Sequence, residues 1–108
     1  MIIAWDLMNE SDVNWRMPGA PSIEERLELL KSMALKVREL DRIHLITIGW
    51  WRPENAGHIV DYVDFVPFHY YGVNVTQDWD DVHDVGGLVK VVRELRKYGK
   101  QLVLGEFG

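Results

Sequence analysis

The stretch KQLVLGEFG, residues 100 to 108, is an apolar run that closes on the motif Gly-Glu-Phe-Gly. Its part Gln101–Phe107 has the length and composition of a buried β-strand. The stretch MIIAWDLMNE, residues 1 to 10, has the same arrangement, because its apolar run also closes on a glutamate. Glu106 and Glu10 are therefore the first candidates for a functional site, each expected at the end of a strand.

Two more apolar runs of strand length lie between these stretches. All four runs are largely apolar rather than alternating, which is typical of a sheet that is covered on both faces. The predicted strands are Ile2–Met8, His44–Trp50, Asp64–Tyr71 and Gln101–Phe107.

Helical segments separate the predicted strands. The clearest extends from Ser22 to Leu40, where Ser22 and Glu25 form a capping box before apolar residues at helical spacing. A second helix is expected from about Asp81 to Tyr98, and a shorter, weaker one from Pro53 to Tyr62. The resulting order, βαβαβαβ, predicts an α/β fold in which four parallel strands are joined by right-handed crossovers.

Parallel strands present their carboxyl ends at one face, which is where α/β proteins build their sites. In this sequence the polar and aromatic residues collect at those ends, while the bodies of the runs are apolar. The residues expected at this face are Asn9, Glu10, Trp50, Trp51, His69, Tyr71 and Glu106.

Two carboxylates at one face suit the hydrolysis of a glycosidic bond, in which one acts as acid and base and the other attacks or activates water. The reaction requires both groups on rigid elements, since it tolerates little error in position. Taken singly, Glu10 and Glu106 can each be read as a loop acid that follows a strand. Their shared face and aromatic neighbours favour the functional interpretation.

The segments IIAWDLMNE, HLITIGW, VDFVPFHYYG and KQLVLGEFG, in this order and spacing, resemble strands four to seven of the glycoside hydrolase family 5 barrel of clan A. The resemblance covers nearly the whole chain. It implies that residues 1–108 form a single half-barrel unit, that is, half of a (βα)8 TIM barrel. It also implies a fragment of a retaining β-glycosidase that hydrolyses β-linked glucan or mannan.

The resemblance assigns roles to individual residues. Glu10, after Asn9, corresponds to the general acid/base, and Glu106 to the nucleophile. By the same resemblance Asn9 contacts the sugar 2-hydroxyl, His69 lines the sugar site and Tyr71 donates a hydrogen bond to the nucleophile.

The sequence also departs from the family pattern. Ser11 stands where family 5 usually has proline, and the residues that strands one, two, three and eight supply to the site are not in this sequence. We therefore expect activity of this chain to be absent or very low, since small losses of positioning are costly. Whether it is an enzyme stays open, and the alternative is a non-catalytic, self-assembling half-barrel, natural or engineered.

Tryptophans are numerous for this length. Trp50 and Trp51, at a strand end, are candidates for a sugar platform, with core packing as the alternative. We assign Trp5, in mid-strand, to the core.

A metal site can be drawn through Asp80, Asp81, His83 and Asp84. Acidic residues are also preferred at a helix N-terminus, which explains most of this cluster without a metal. We therefore predict neither a metal nor a cofactor.

Composition limits the partners. The net charge of −5 disfavours nucleic acid, and no segment reaches the roughly 20 apolar residues of a membrane helix. No signal peptide is recognisable, and the compartment stays unassigned. We expect a homodimer in which residues 2–8 of each chain pair with residues 101–107 of the other and complete an eight-stranded barrel, since open strand edges favour association.

Overall fold

The computed structural model describes residues 1–13, 18–71 and 85–107. Within these residues an α-helix follows the first strand and another follows the third, as predicted, but only short 3-10 segments lie between the second strand and the third. The elements are β1 (Ala4–Asp6), α1 (Ile23–Leu40), β2 (Leu45–Thr47), 3-10 segments at Pro53–His58 and Val60–Tyr62, β3 (Phe65–Tyr70), α2 (Val85–Leu95), a 3-10 segment at Arg96–Tyr98, and β4 (Gln101–Phe107).

Helix α1 begins where its capping box predicts. The Glu25 backbone N–H donates to the Ser22 hydroxyl at 3.1 Å, and the Ser22 N–H donates to the Glu25 carboxylate at 2.8 Å. Two backbone donors that the first turn leaves unpaired are thereby satisfied. Leu30 and Ala34 are buried on the inner face of the helix.

Helix α2 is described from Val85, so it includes Gly86 and Gly87; its predicted start at Asp81 lies outside the described residues. It ends on a 3-10 turn closed by Gly99, whose φ of 66° is the left-handed conformation that favours glycine. The weak helix predicted from residue 53 to 62 is a pair of 3-10 segments.

The strands do not form the predicted four-stranded sheet. β1 pairs with β2 and β3 pairs with β4, both in parallel, which gives two separate two-stranded sheets in the described part of the chain. β1 and β2 are also shorter than the apolar runs that predicted them. The expectation of a βαβαβαβ half-barrel, half of a (βα)8 TIM barrel, is therefore wrong.

Side chains explain the break between β2 and β3. The Asp64 N–H donates to the Ile46 carbonyl at 2.8 Å, as in a parallel ladder, but the Ile46 N–H donates to the Asp64 carboxylate at 2.7 Å. Thr47 Oγ1 then donates to the Phe65 carbonyl at 2.8 Å, and Arg38 binds the Asp64 carboxylate from α1. Side-chain groups thus form hydrogen bonds at positions where a backbone ladder would continue. β2 and β3 are therefore adjacent but do not form a strand pair.

The core lies between the helices and the strands. Trp50 is its largest fully buried side chain, only 1% exposed, and Phe68 of β3 packs in the same cluster. The other buried members are Leu30, Ile48, Ala56, Ile59, Val63, Val66 and Leu95. Burial of each large aliphatic side chain contributes on the order of 1.5–3 kcal/mol.

Trp5 does not belong to this core, contrary to our expectation. It is 37% exposed, and its indole N–H donates to the Asp41 carboxylate at 2.9 Å, just beyond the end of α1. A mid-strand position in β1 therefore does not bury this side chain. Among the described residues, no helix is long and apolar enough to cross a bilayer.

Candidate active site

A bulge in the β3–β4 ladder decides where Glu106 points. Phe68 pairs with Leu104, but the next residue of β3, His69, pairs with Glu106, so Gly105 is the extra residue. Because side chains alternate along a strand, one inserted residue moves every later side chain to the opposite face. Glu106 therefore lies on the same face of the sheet as His69. In a register without the bulge it would lie on the opposite face.

The bulge brings Glu106 to two partners on β3 and its C-terminal end. The Tyr71 hydroxyl donates to Glu106 Oε2, and His69 Nε2 lies 3.6 Å from Glu106 Oε1. A Cβ at Gly105 would lie 3.5 Å from the His69 ring, so the backbone passes directly beside the imidazole. The glycine before the glutamate thus marks the bulge that aims the carboxylate.

Glu10 reaches the same histidine from the loop after β1. Its Oε1 lies 3.0 Å from His69 Nδ1. Its backbone φ is +46°, a left-handed conformation that costs a residue with a Cβ roughly 1–2 kcal/mol. Strain of this kind persists only where surrounding contacts fix the backbone, and it is often found at functional sites.

Backbone hydrogen bonds to Gly49 hold the loop on either side of Glu10. The Gly49 N–H donates to the Met8 carbonyl at 2.9 Å, and the Ser11 N–H donates to the Gly49 carbonyl at 2.9 Å. A Cβ at Gly49 would lie 3.3 Å from the Met8 carbonyl oxygen, so this close approach favours glycine.

Asp12 fixes the loop to the segment after β2. Its buried carboxylate accepts the backbone N–H groups of Trp51 and Arg52, at 2.8 and 2.9 Å. It also accepts the Asn55 side-chain amide at 2.8 Å. A buried carboxylate satisfied by three donors is a strong positional constraint, since losing the donors would leave an unpaired charge.

Arg26 fixes the loop from the helix side. Its guanidinium donates to the carbonyls of Ser11 and Val13, at 3.0 and 3.1 Å, while the Val13 N–H donates to the Glu10 carbonyl at 2.9 Å. Our reading of the sequence missed both Asp12 and Arg26. Arg26 could have been found, because it interrupts the apolar stripe of α1 and must therefore find polar partners.

Glu10, His69 and Glu106 form one cluster, in which the side chain of His69 is the rigid member. One carboxylate oxygen from Glu10, one from Glu106 and one ring nitrogen of His69 all lie within 4.8 Å of one another. The His69 side chain is only 4% exposed, whereas those of Glu10 and Glu106 are 28% and 43% exposed. The imidazole is thus fixed by packing, and both carboxylates open toward solvent.

Tyr71 is held in its protonated form. Its hydrogen bond to Glu106, together with desolvation and the negative charges of Glu106 and Glu10, raises the pKa of Tyr71 to about 12. Near neutral pH the hydroxyl is therefore a hydrogen-bond donor to Glu106. Its ring meets His69 edge to face, with centroids 6.5 Å apart.

The remaining predicted site residues lie around this cluster or away from it. Asn9 is exposed, with its side-chain oxygen beside Gly49. Trp51 is half-buried, with the Arg52 guanidinium 5.6 Å from its ring centroid. Trp50 belongs to the core and presents no face to a ligand.

Chemically, the cluster offers groups suited to acid–base and nucleophilic steps, because two carboxylates share one histidine and one of them also accepts a hydrogen bond from a tyrosine. Within the described residues it is also the one group whose His and carboxylate atoms could hold a metal ion. The acidic segment Asp80, Asp81, His83 and Asp84 lies outside the described residues.

Comparison with protein-family models, with curated proteins and with solved structures finds no match for this chain. The resemblance to glycoside hydrolase family 5 therefore depends on the sequence motifs themselves.

Proposed function

We propose that this chain carries part of the active site of a retaining β-glycosidase that acts on β-linked glucan or mannan. One observation carries the proposal: carboxylate oxygens of Glu10 and Glu106, from different elements, lie within 4.8 Å of each other. Retaining glycosidases place their two carboxyl groups about 5–5.5 Å apart, whereas inverting enzymes separate them by roughly 6.5–9.5 Å.

In the first step a Glu106 oxygen attacks the anomeric carbon as the glycosidic bond breaks. Glu10 gives its proton to the departing oxygen, and a glycosyl ester forms on Glu106. In the second step Glu10 takes a proton from water, the water oxygen bonds to the anomeric carbon, and Glu106 leaves. Two displacements at one carbon return the starting configuration, so the product keeps the β-anomeric form.

His69 and Tyr71 position the two acids in this scheme. Tyr71 donates to Glu106 Oε2, which leaves Oε1 on the side of His69 and Glu10. Because His69 is buried and contacts both glutamates, it fixes the distance between them. Positioning of this kind contributes to catalysis by holding reacting atoms near their attack geometry.

We expect slow turnover at best. The family supplies further contacts to the sugar from strands that this sequence does not contain, and Trp50, a predicted sugar platform, is buried. A loss of about 1 Å in positioning can cost roughly 10²-fold in rate.

The proposal is tested by assaying the purified chain on β-linked gluco- and manno-oligosaccharides and on activated aryl β-glycosides. Glu106→Gln is expected to abolish whatever turnover the chain shows, and Glu10→Ala to slow natural substrates more than activated ones, whose leaving groups need no proton. Glu94→Gln, on the exposed face of α2, is the matched control. Equal turnover in the chain and Glu106→Gln would remove Glu106 from the mechanism.

A non-catalytic, self-assembling protein is the second candidate function. It is favoured by the apolar side chains that the outer strands and their ends leave exposed, including Ile3 beside β1 and Val103 and Phe107 of β4. This candidate predicts association without turnover, and the oligomeric state tests it separately from the assay.

A further inference from the structure

We propose that Glu10, His69 and Glu106 form a binding site for one divalent first-row transition metal ion, with zinc as the ion of choice. The site offers one imidazole nitrogen and two carboxylate oxygens, and this donor set suits zinc and its neighbours better than magnesium or calcium. The inference goes beyond the glycosidase proposal and does not depend on it.

The distances are close to those of a coordination sphere. Bonds of about 2.0–2.2 Å to a tetrahedral zinc ion place its ligand atoms roughly 3.4 Å apart. Glu10 Oε1 lies 3.0 Å from His69 Nδ1, Glu106 Oε1 lies 3.6 Å from His69 Nε2, and one atom from each of the three residues falls within 4.8 Å. The two contacts go to different ring nitrogens, and one ion binds through only one of them. The carboxylates must therefore rotate to bring the three ligand atoms from within 4.8 Å of one another to a spacing of roughly 3.4 Å.

The two carboxylates must move for all three ligands to reach one ion, and their side chains allow this movement. The two carboxylates are partly exposed and sit on flexible side chains, so rotation about their bonds can bring an oxygen toward the imidazole. His69 is held in β3 with 4% of its side chain exposed, so it provides a fixed ligand. A preformed ligand reduces the entropy that metal binding must overcome.

Tyr71 completes the arrangement as a residue that orients a ligand. Its hydroxyl donates to Glu106 Oε2 and leaves Oε1 toward His69. Hydrogen bonds of this kind to a ligating carboxylate fix its orientation, and their loss typically weakens metal binding about 10–100-fold.

Three protein ligands leave a fourth zinc position open to water, as in zinc enzymes. The ion would occupy the two carboxylates that the glycosidase scheme uses. Zinc binding and glycoside cleavage are thus expected to exclude each other, and zinc to inhibit any turnover that the chain shows.

The test is isothermal titration of the purified chain with zinc, without sugar, alongside single variants of the ligands. We expect one ion per chain, with affinity at least about tenfold lower in Glu10→Gln, Glu106→Gln and His69→Gln, and lower in Tyr71→Phe. Magnesium is expected to bind far more weakly, because it prefers an all-oxygen octahedral shell.

His44→Gln is the matched control. His44 Nδ1 lies 2.7 Å from the Asp41 carboxylate, so this pair is a rival surface site for zinc. Unchanged affinity in His44→Gln supports the proposal, and loss of binding there overturns it. Binding that survives in both glutamate variants, or no saturable binding at all, also overturns it.

Folding is monitored separately, because His69 is buried. Zinc should raise the melting temperature of the wild-type chain but not that of Glu106→Gln, since a ligand stabilises the state that binds it. If His69→Gln does not fold, the two glutamate variants still decide the question. Turnover that Glu106→Gln abolishes, without zinc binding, would defeat only the metal site, and zinc binding beside turnover that Glu106→Gln leaves unchanged would defeat only the glycosidase.

Discussion

At the scale of single residues, Glu10 combines the side chain of the proposed acid/base with an unfavourable backbone conformation. Its φ of +46° is accessible to glycine without cost. We therefore predict that Glu10→Gly is more stable than Glu10→Ala by about 1 kcal/mol, because both remove the carboxylate but only glycine relieves the backbone. Urea unfolding of the two variants measures the difference, and equal stability would show that the loop is unstrained.

Protonation of Asp41 should have a measurable effect on the free energy of unfolding. The hydrogen bond from the Trp5 indole, followed by those from the backbone N–H groups of His44 and Ile43, holds the pKa of Asp41 well below its usual range. A carboxylate with a lowered folded pKa contributes stability that is present above the unfolded pKa of about 3.9 and is lost as pH falls below it.

The measurement compares Asp41→Asn with the wild-type chain at neutral pH and at a pH of about 3. The variant should be less stable at neutral pH, and the gap should shrink at low pH. Glu94→Gln, whose exposed side chain pairs only loosely with Lys97 at 3.5 Å, should show no such trend. A gap that does not change with pH would contradict the assignment.

At the scale of elements, the sequence predicted the features that depend on neighbouring residues, but it did not predict how the strands pair. The capping box at Ser22 and Glu25 placed the start of α1 correctly, because capping depends on neighbouring residues alone. The break between β2 and β3 depends on Asp64 and Thr47 bonding across strands that are distant in sequence. A run of apolar residues does not show whether side-chain or backbone groups will form the hydrogen bonds between two strands.

The β3–β4 bulge is another feature that periodicity cannot give. The apolar pattern of β4 looks the same whether or not the strand contains an extra residue, so periodicity does not reveal the bulge. A glycine inside a strand, here Gly105, is nevertheless a recognisable sign of one. His69, Tyr71 and Glu106 were predicted at one face, and the structure does bring them together, but through this bulge rather than through a continuous sheet.

Deleting Gly105 tests the register around the bulge. The extra residue is then gone, Glu106 follows Leu104 directly, and a regular ladder still pairs Glu106 with His69, so Tyr71 should keep Glu106 as its partner and the pKa of Tyr71 should stay raised, at about 12. At a pH of about 11, tyrosinate absorbance should then match that of the wild-type chain.

Gly105→Ala is the matched control, because a Cβ there meets the His69 ring at an ordinary 3.5 Å and the bulge is kept. It should also titrate like the wild-type chain, whereas Glu106→Gln should show one more ionised tyrosine. Circular dichroism at the same pH verifies that the chains compared are folded. One more ionised tyrosine in the deletion would show that the extra residue itself, and not the pairing of Glu106 with His69, holds Glu106 beside Tyr71.

At the scale of the whole molecule, the homodimer stays a prediction, but its closure into an eight-stranded barrel loses its basis. That closure required a continuous four-stranded sheet, and the described chain has two separate pairs of strands. The outer edges of β1 and β4 remain candidates for association, since no further strand of the described residues covers them.

We predict that light scattering detects a dimer and that Val103→Lys, on the exposed part of β4, shifts it toward monomer. A charged side chain on an outer strand opposes pairing with a second chain. Lys97→Gln, on the exposed 3-10 turn after α2, is the control and should leave the dimer unchanged. A well-folded monomer at high concentration would contradict the prediction.

The central claim is that Glu106 is a nucleophile opposite Glu10, and covalent trapping tests it most directly. An activated 2-fluoro β-glycoside forms a glycosyl ester that hydrolyses slowly, so intact mass spectrometry can detect even an inefficient first step. We predict one glycosyl adduct per chain, mapped to Glu106 by peptide analysis and absent in Glu106→Gln. An adduct on another residue, equal labelling of the variant, or no adduct after prolonged exposure of the folded chain would contradict the claim.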